Sequence, residues 1–171
     1  MRLKLLSLGL ALCLSAPALA DQTAYNEVSA AYDAHLNDMQ AEITRLETNI
    51  KFADDAAKEC LAELKATKKA SPVCDAIKGY IAAYKYEYKT IKSYNRVRKI
   101  PRYEGNLRNL LQRLIAGATK EEGKQLYLNH EAAKAARQER LSSFGQSIQH
   151  TVDLYQEITD DRMDEIDDLR D

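Results

Sequence analysis

Eight basic residues lie between Ala76 and Tyr103, against one acidic residue, Glu87. Lys85, Lys89, Lys92, Arg96 and Lys99 are spaced four, three, four, three, and Lys78 extends the row toward the amino terminus. On a helix this spacing puts the row on one face, where ammonium and guanidinium groups would hold carboxylates, phosphates or sulfates. Tyr86 falls on the outward side, between Lys85 and Lys89. The carboxyl-terminal stretch is the mirror case. Glu157, Asp161, Asp164, Asp168 and Asp171 repeat the spacing with the opposite sign, and from Asp153 onward nine acidic residues face only Arg162 and Arg170. Carboxylates sharing a helical face attract a cationic partner or a divalent cation. A dedicated calcium site, however, needs six to eight oxygens on a bent loop with a glycine at the turn. The stretch 160–171 has no glycine, so no metal site is expected.

The chemistry of catalysis is thinly represented. His35, His130 and His150 are the only histidines, and none stands in an H-x-x-x-H or H-E-x-x-H pattern. On a straight helix His130 and His150 would lie about 30 Å apart, too far to share a metal. His35, beside Leu36, is read as a packed residue at the edge of the core. The sequence contains no C-x-x-C-H haem site, no glycine-rich phosphate loop and no G-x-S-x-G elbow. Acidic residues are so abundant that no single pair stands out as a hydrolytic couple. The reading is of a protein that is not an enzyme and needs no cofactor.

The first twenty residues resemble an export signal: Arg2 and Lys4, an apolar run from Leu5 to Leu14, then Ala18-Leu19-Ala20 at the positions a signal peptidase reads. Cleavage is expected between Ala20 and Asp21. The run is too short for a membrane span, which takes about 20 apolar residues. Lipidation at Cys13 is disfavoured by Leu12, where a small residue is wanted. Removing 20 of 171 residues leaves 151, one domain's worth, and losing Arg2 and Lys4 moves the net charge from -1 to -3. Export to the periplasm or beyond argues against nucleic acid as a partner. It also places the two remaining cysteines, Cys60 and Cys74, where disulfides persist, and one structural bridge is expected.

The elements that would carry these rows are all helices. Tyr32, Leu36, Met39, Ile43, Leu46, Ile50, Ala53, Ala57, Cys60 and Leu64 step four, three, four, three without a miss, a coiled-coil-like seam on one long helix over about 23–67. Ser71-Pro72 restarts the chain, since Ser caps a helix and Pro suits its first position. A second helix over about 72–100 carries Ile77, Ile81, Tyr84, Tyr88 and Ile91. Pro101 and Gly105-Asn106 are read as a break, followed by a short helix over about 106–116 that stops at Gly117. Thr119-Lys120-Glu121-Glu122 is a capping box opening a last helix over about 120–170. With Cys60 near the end of one helix and Cys74 in the first turn of the next, a bridge would staple an antiparallel hairpin beside its turn. The fold class is therefore all-α: residues 1–20 a leader, and residues 21–171 one elongated antiparallel helical bundle built on a disulfide-stapled long hairpin.

In plan such a bundle resembles small periplasmic helical chaperones and helical immunity proteins, a likeness of architecture that assigns no residue a role. The charged rows have a plain reading as solvated faces. The functional readings are a protein-binding module of the chaperone or adaptor type, an immunity protein or inhibitor of an exported toxin or envelope hydrolase, and a binder of anionic ligands or divalent cations. The first is preferred, with another protein as the partner. A homodimer is the second possibility, because a long strict seam and two complementary rows can serve two copies of one chain.

Overall fold

A computed structural model describes the backbone of residues 16–92 and 99–170, with side chains from residue 19 onward except 86–88 and 90–92. Five helices follow one another: α1 (Ala16–Thr67), α2 (Pro72–Lys92), α3 (Ile100–Gly117), α4 (Lys120–Glu157) and α5 (Met163–Arg170), with a π-helical turn, Ile158–Arg162, joining the last two. No strand occurs among the described residues. At 52 residues, α1 is about 78 Å long and forms the axis of the molecule.

The seam of α1 is its buried side. All ten seam residues from Tyr32 to Leu64 are at most 2% exposed. All but Leu46 fall into two cores. One gathers Ile50 to Leu64 with Cys74, Ile77, Tyr155, Ile158 and Ile166. The other gathers Tyr32 to Ile43 with Ile100, Leu107 and Phe144. Burying a Leu or Ile side chain contributes about 1.5–3 kcal/mol, so an unbroken seam of this length holds the rods together without help from its polar faces.

Cross-chain contacts fix the direction of each rod. Cys60 bridges Cys74 with Cα atoms 5.0 Å apart, and Phe52 meets Tyr80 edge-on with ring centroids 5.1 Å apart. Farther along, Tyr32 stacks on Tyr103 and Asp21 pairs with Arg113 at 3.0 Å. As numbers fall on α1 they rise on α2 and α3, so both run antiparallel to it in a common register. The last rod runs parallel to α1: Tyr25 meets His130, Asp33 meets Arg137 and Lys65 meets Glu165. The bundle has three rods, namely α1, α2 with α3, and α4 with α5.

Local chemistry explains the joints. Lys68 closes α1 in the left-handed conformation, φ 59°, a position where glycine is the usual occupant. The capping box is formed: the Thr119 hydroxyl accepts from the Glu122 amide while the Glu122 carboxylate accepts from the Thr119 amide, and the Thr119 hydroxyl, donating to that carboxylate at 2.7 Å, together with the Thr119 amide holds the Glu122 carboxyl below its ordinary range. The third helix differs from the expectation of a start near Asn106. Pro101 opens α3 rather than clearing a gap before it, since proline is tolerated in a helix's first turn, where its missing N–H has no partner to lose. Gly105 and Asn106 are consequently helical. The expected uniform helix to the carboxyl terminus is likewise interrupted by the π turn. Buried Tyr155 and Ile158 are followed on the same face by Arg162 and then buried Ile166, a four-four step in place of three-four. One extra residue is absorbed by widening a single turn.

Candidate functional site

Near the stapled end, α2 and the rod of α4 and the π turn border an open groove of about 430 Å³. The α2 rim is Lys78, Ala82 and Lys85, in four-three spacing, and the opposite rim is Thr159 and Met163, with Ile81 and Tyr155 between them. The Tyr155 hydroxyl donates to the Ile81 carbonyl at 3.4 Å and ties the two sides together at the floor. Small residues keep the α2 side low: Gly79, Ala82 and Ala83 are all exposed, and a Cβ built on Gly79 would meet nothing within 4 Å. The groove thus joins an apolar floor to a cationic rim.

The basic row falls partly on this rim. Lys85, Lys89 and Lys99 are exposed. Lys78 is turned to Asp167 at 2.8 Å, closing the end of the groove beside the disulfide. The side chains of Tyr86 and Lys92, and all of Arg96, lie outside the described residues, as does Asp171 of the acidic row. In that acidic row, Glu157 accepts from Arg162 at 2.6 Å, while Asp161, Asp164 and Asp168 are exposed. The acids that cross between rods are others: Glu165 with Lys65 at 2.6 Å, Asp167 with Lys78, and Asp75 with Arg170 at 2.8 Å. The acidic helix therefore lies level with the stapled turn, beyond Lys85.

A second cluster lies in the far half of the bundle. Arg137 is 5% exposed, and its Nε and Nη2 donate to the two carboxylate oxygens of Asp33 at 2.8 Å each. Nη2 also reaches the Ser29 hydroxyl at 2.6 Å. The guanidinium lies 4.9 Å from the centre of the Tyr32 ring. That ring is stacked on Tyr103 at 5.1 Å with planes 7° apart, and buried His35 leans on Tyr103 from the side at 5.7 Å. The hydrogen bonds from Arg137 hold Asp33 below the usual carboxylate range. Burial foremost, and then the negative charge of Glu104, pushes Tyr32 up to about 12. His130 Nδ1 lies 2.9 Å from the Tyr25 hydroxyl, and burial holds its pKa below the ordinary histidine value. A similar pairing recurs at the π turn, where buried Asp54 is gripped by Arg162 and by Lys58 at 2.7 Å.

Neither polar cluster is prominent as a motif. The signal available in the sequence is phase: Arg137 and Arg162 occupy the apolar seam of the last rod, and their partners Asp33 and Asp54 each follow a seam residue of α1 by one position. A charge on a seam needs a partner on the facing helix, because an unpaired buried charge is costly. Among the described residues no group of three or more His, Cys, Asp or Glu side chains is placed to hold a metal ion, and no helix is long and apolar enough to cross a membrane. Comparison with protein family models, curated proteins and solved structures finds no match to this chain.

Proposed function

We propose that the protein is an exported, non-enzymatic protein-binding module of the chaperone or adaptor type, and that its groove beside the disulfide is the contact surface. The observation that carries this reading is the groove itself: an open apolar trough with lysines along one rim, on a bundle whose seams are already filled. Apolar floors supply affinity for protein partners, while rim charges set orientation and encounter rate. The leader-like first twenty residues support an exported protein, and the Cys60–Cys74 bridge suits an oxidising compartment. The staple serves the function directly, since it anchors α2, which carries the basic rim, to α1 at the end where the groove begins.

The test is affinity capture from envelope extract with the purified protein at low and high salt, beside a Lys78→Glu/Lys85→Glu/Lys89→Glu variant. A stoichiometric protein partner, weakened by salt and lost in the variant, is the expected result. Equal recovery with the variant would remove the basic rim from the contact. A single very tight, salt-resistant partner with hydrolase or toxin activity would instead identify an inhibitor. No protein partner in either sample would refute the reading.

A further inference from the structure

We infer that the groove between α2 and the π turn is the seat of a fourth helix: an amphipathic helix of a partner protein, its apolar stripe on the floor and a row of carboxylates against Lys85. The inference rests on the protein-binding reading and specifies the form and chemistry of what is bound.

Three features of the groove lead to this occupant. The first is architecture. α1 packs on every other helix, whereas α2 lies mainly on α1 and only lightly on α4. The trough between α2 and the last rod is thus flanked by two helices running antiparallel to one another, the setting in which a further helix packs by setting its side chains between theirs. The second is relief. The α2 rim reads Lys78, Ala82, Lys85, with one methyl between two long side chains, and Gly79 next to it leaves open space. An apolar side chain entering above Ala82 would reach Ile81 and Met163, which are only partly covered by the core. Lysine stems on either side would cover its flanks while keeping their ammonium groups in water. The π turn contributes here, because widening that one turn carries the rod past Arg162, which faces Asp54 on α1, and returns Met163 to the groove.

The third is charge. Lys78 already has Asp167 as its partner, whereas Lys85 makes no ion pair among the described residues. Outside the far rim the sign is opposite: Asp160 and Asp164 follow Thr159 and Met163 by one position and are exposed, although neither lines the groove itself. A helix entering this trough meets cations on its α2 side and anions on the other. Complementary flanks, acidic toward α2 and basic toward the π turn, fix which way round it lies. A bare phosphate or sulfate would use the lysines alone and leave the apolar floor wet.

The experiment places the photo-crosslinking residue benzoylphenylalanine at Ala82 in the full-length protein, irradiates intact cells and maps the crosslinked peptide by mass spectrometry. The same residue at Lys124, on the exposed face at the start of α4, serves as the control. The expected product is an adduct to a heptad-patterned segment of another protein with carboxylates on one flank. It should be absent from the Lys124 control, reduced about tenfold by Lys85→Glu and retained by Lys85→Arg. An adduct to a second copy of this chain, or to a segment without helical apolar spacing, would overturn the inference, as would a yield indifferent to Lys85→Glu. Circular dichroism of each variant checks that the bundle is intact; both substitutions lie on the exposed face of α2, outside the core. If a protein partner is captured as above but no adduct forms at Ala82, the groove is refuted as the contact surface while protein binding as the function stands. If neither appears, both fall.

Discussion

The Arg137–Asp33 pair makes a quantitative prediction, because its two members are buried to very different extents. The Arg137 side chain is 7% exposed and that of Asp33 is 47% exposed. Removing one member of a buried pair costs about 3–5 kcal/mol, since the other is left charged and unpaired. In Arg137→Ala the survivor is Asp33, which is half in water and can be rehydrated, so that loss belongs near the lower limit. Loss of the cation from the face of Tyr32 adds about 1 kcal/mol, for a total of about 3–4 kcal/mol. In Asp33→Ala the survivor is the buried guanidinium, with Ser29 as its remaining acceptor. The smaller side chain is deleted, yet the cost should be at least as large. In Asp33→Leu/Arg137→Met no charge is stranded, and most of the loss should be recovered. Urea unfolding at 25 °C and pH 7.5 on the four proteins gives the cycle, with a common m-value as the check that the unfolded states match. At about 2–4 °C per kcal/mol for a domain of this size, the single variants should melt roughly 6–15 °C below the parent. A cost under about 1 kcal/mol for Asp33→Ala would refute the reasoning, because it would mean that the guanidinium is not confined by the bundle.

Two further outcomes follow from the same geometry. Replacing Cys60 and Cys74 with serine opens a loop of sequence separation 14, and the chain-entropy argument gives a loss of about 3 kcal/mol. Hydrogen exchange should show the extra opening concentrated in the first turns of α2 and in α5, which meet around the staple, and a loss spread evenly over the molecule would count against it. The second outcome concerns pH. His130 binds its proton less tightly in the folded protein than in the unfolded chain, so its contribution to stability is whole above about pH 6.5 and is lost as pH falls through the lower, folded value. The melting temperature should therefore drop between pH 7.5 and 5 by more in the parent than in His130→Gln. Asp33, held low by Arg137, enters only below its ordinary value of 3.8, so the two effects separate. Parallel melting curves for parent and variant across that range would contradict the assignment.

The sequence announced the fold wherever one physical rule acted alone. The seam of α1 is legible because ten apolar residues in strict heptad phase form one stripe that the neighbouring rods can cover along the whole helix, and all ten are buried. The Cys60–Cys74 bridge is legible from the export signal expected at the amino terminus, from the spacing of the two cysteines and from the Ser71-Pro72 restart. The expectation at Pro101 was misplaced because the same residue breaks a helix interior and suits a helix start, and sequence alone does not say on which side of the joint it stands. The π turn was hidden for a related reason: a four-four step looks like a small irregularity in a long apolar pattern. The groove was half legible. Its lysines were conspicuous, but Thr159 and Met163 acquire a role only once the parallel arrangement of α1 and the last rod sets them opposite Ala82.

That arrangement is held by the polar residues that sequence reading passed over. A seam of Leu, Ile and Ala buries nearly as much surface if the last rod slides by one heptad along α1, so the apolar cores alone discriminate weakly between registers. Arg137 on Asp33 resists such a slide in either direction, because seven residues away on α1 stand Asn26 and Gln40, neither of them a carboxylate; Arg162 on Asp54 resists it in one direction, where Leu61 would face it, and would meet Glu47 in the other. This is the role in which buried polar groups are best attested, fixing register more than adding stability. The consequence reaches the proposed contact surface. A slide of seven residues is about 10 Å, enough to carry Met163 away from Ala82 and Asp167 away from Lys78, and the groove would no longer exist. The Asp33→Leu/Arg137→Met double variant should therefore be stable but less certain of its register. Its Ala82 photo-crosslink should weaken and spread even where its melting temperature does not fall. A variant that recovers both stability and a sharp crosslink would show that the apolar seam sets the register unaided.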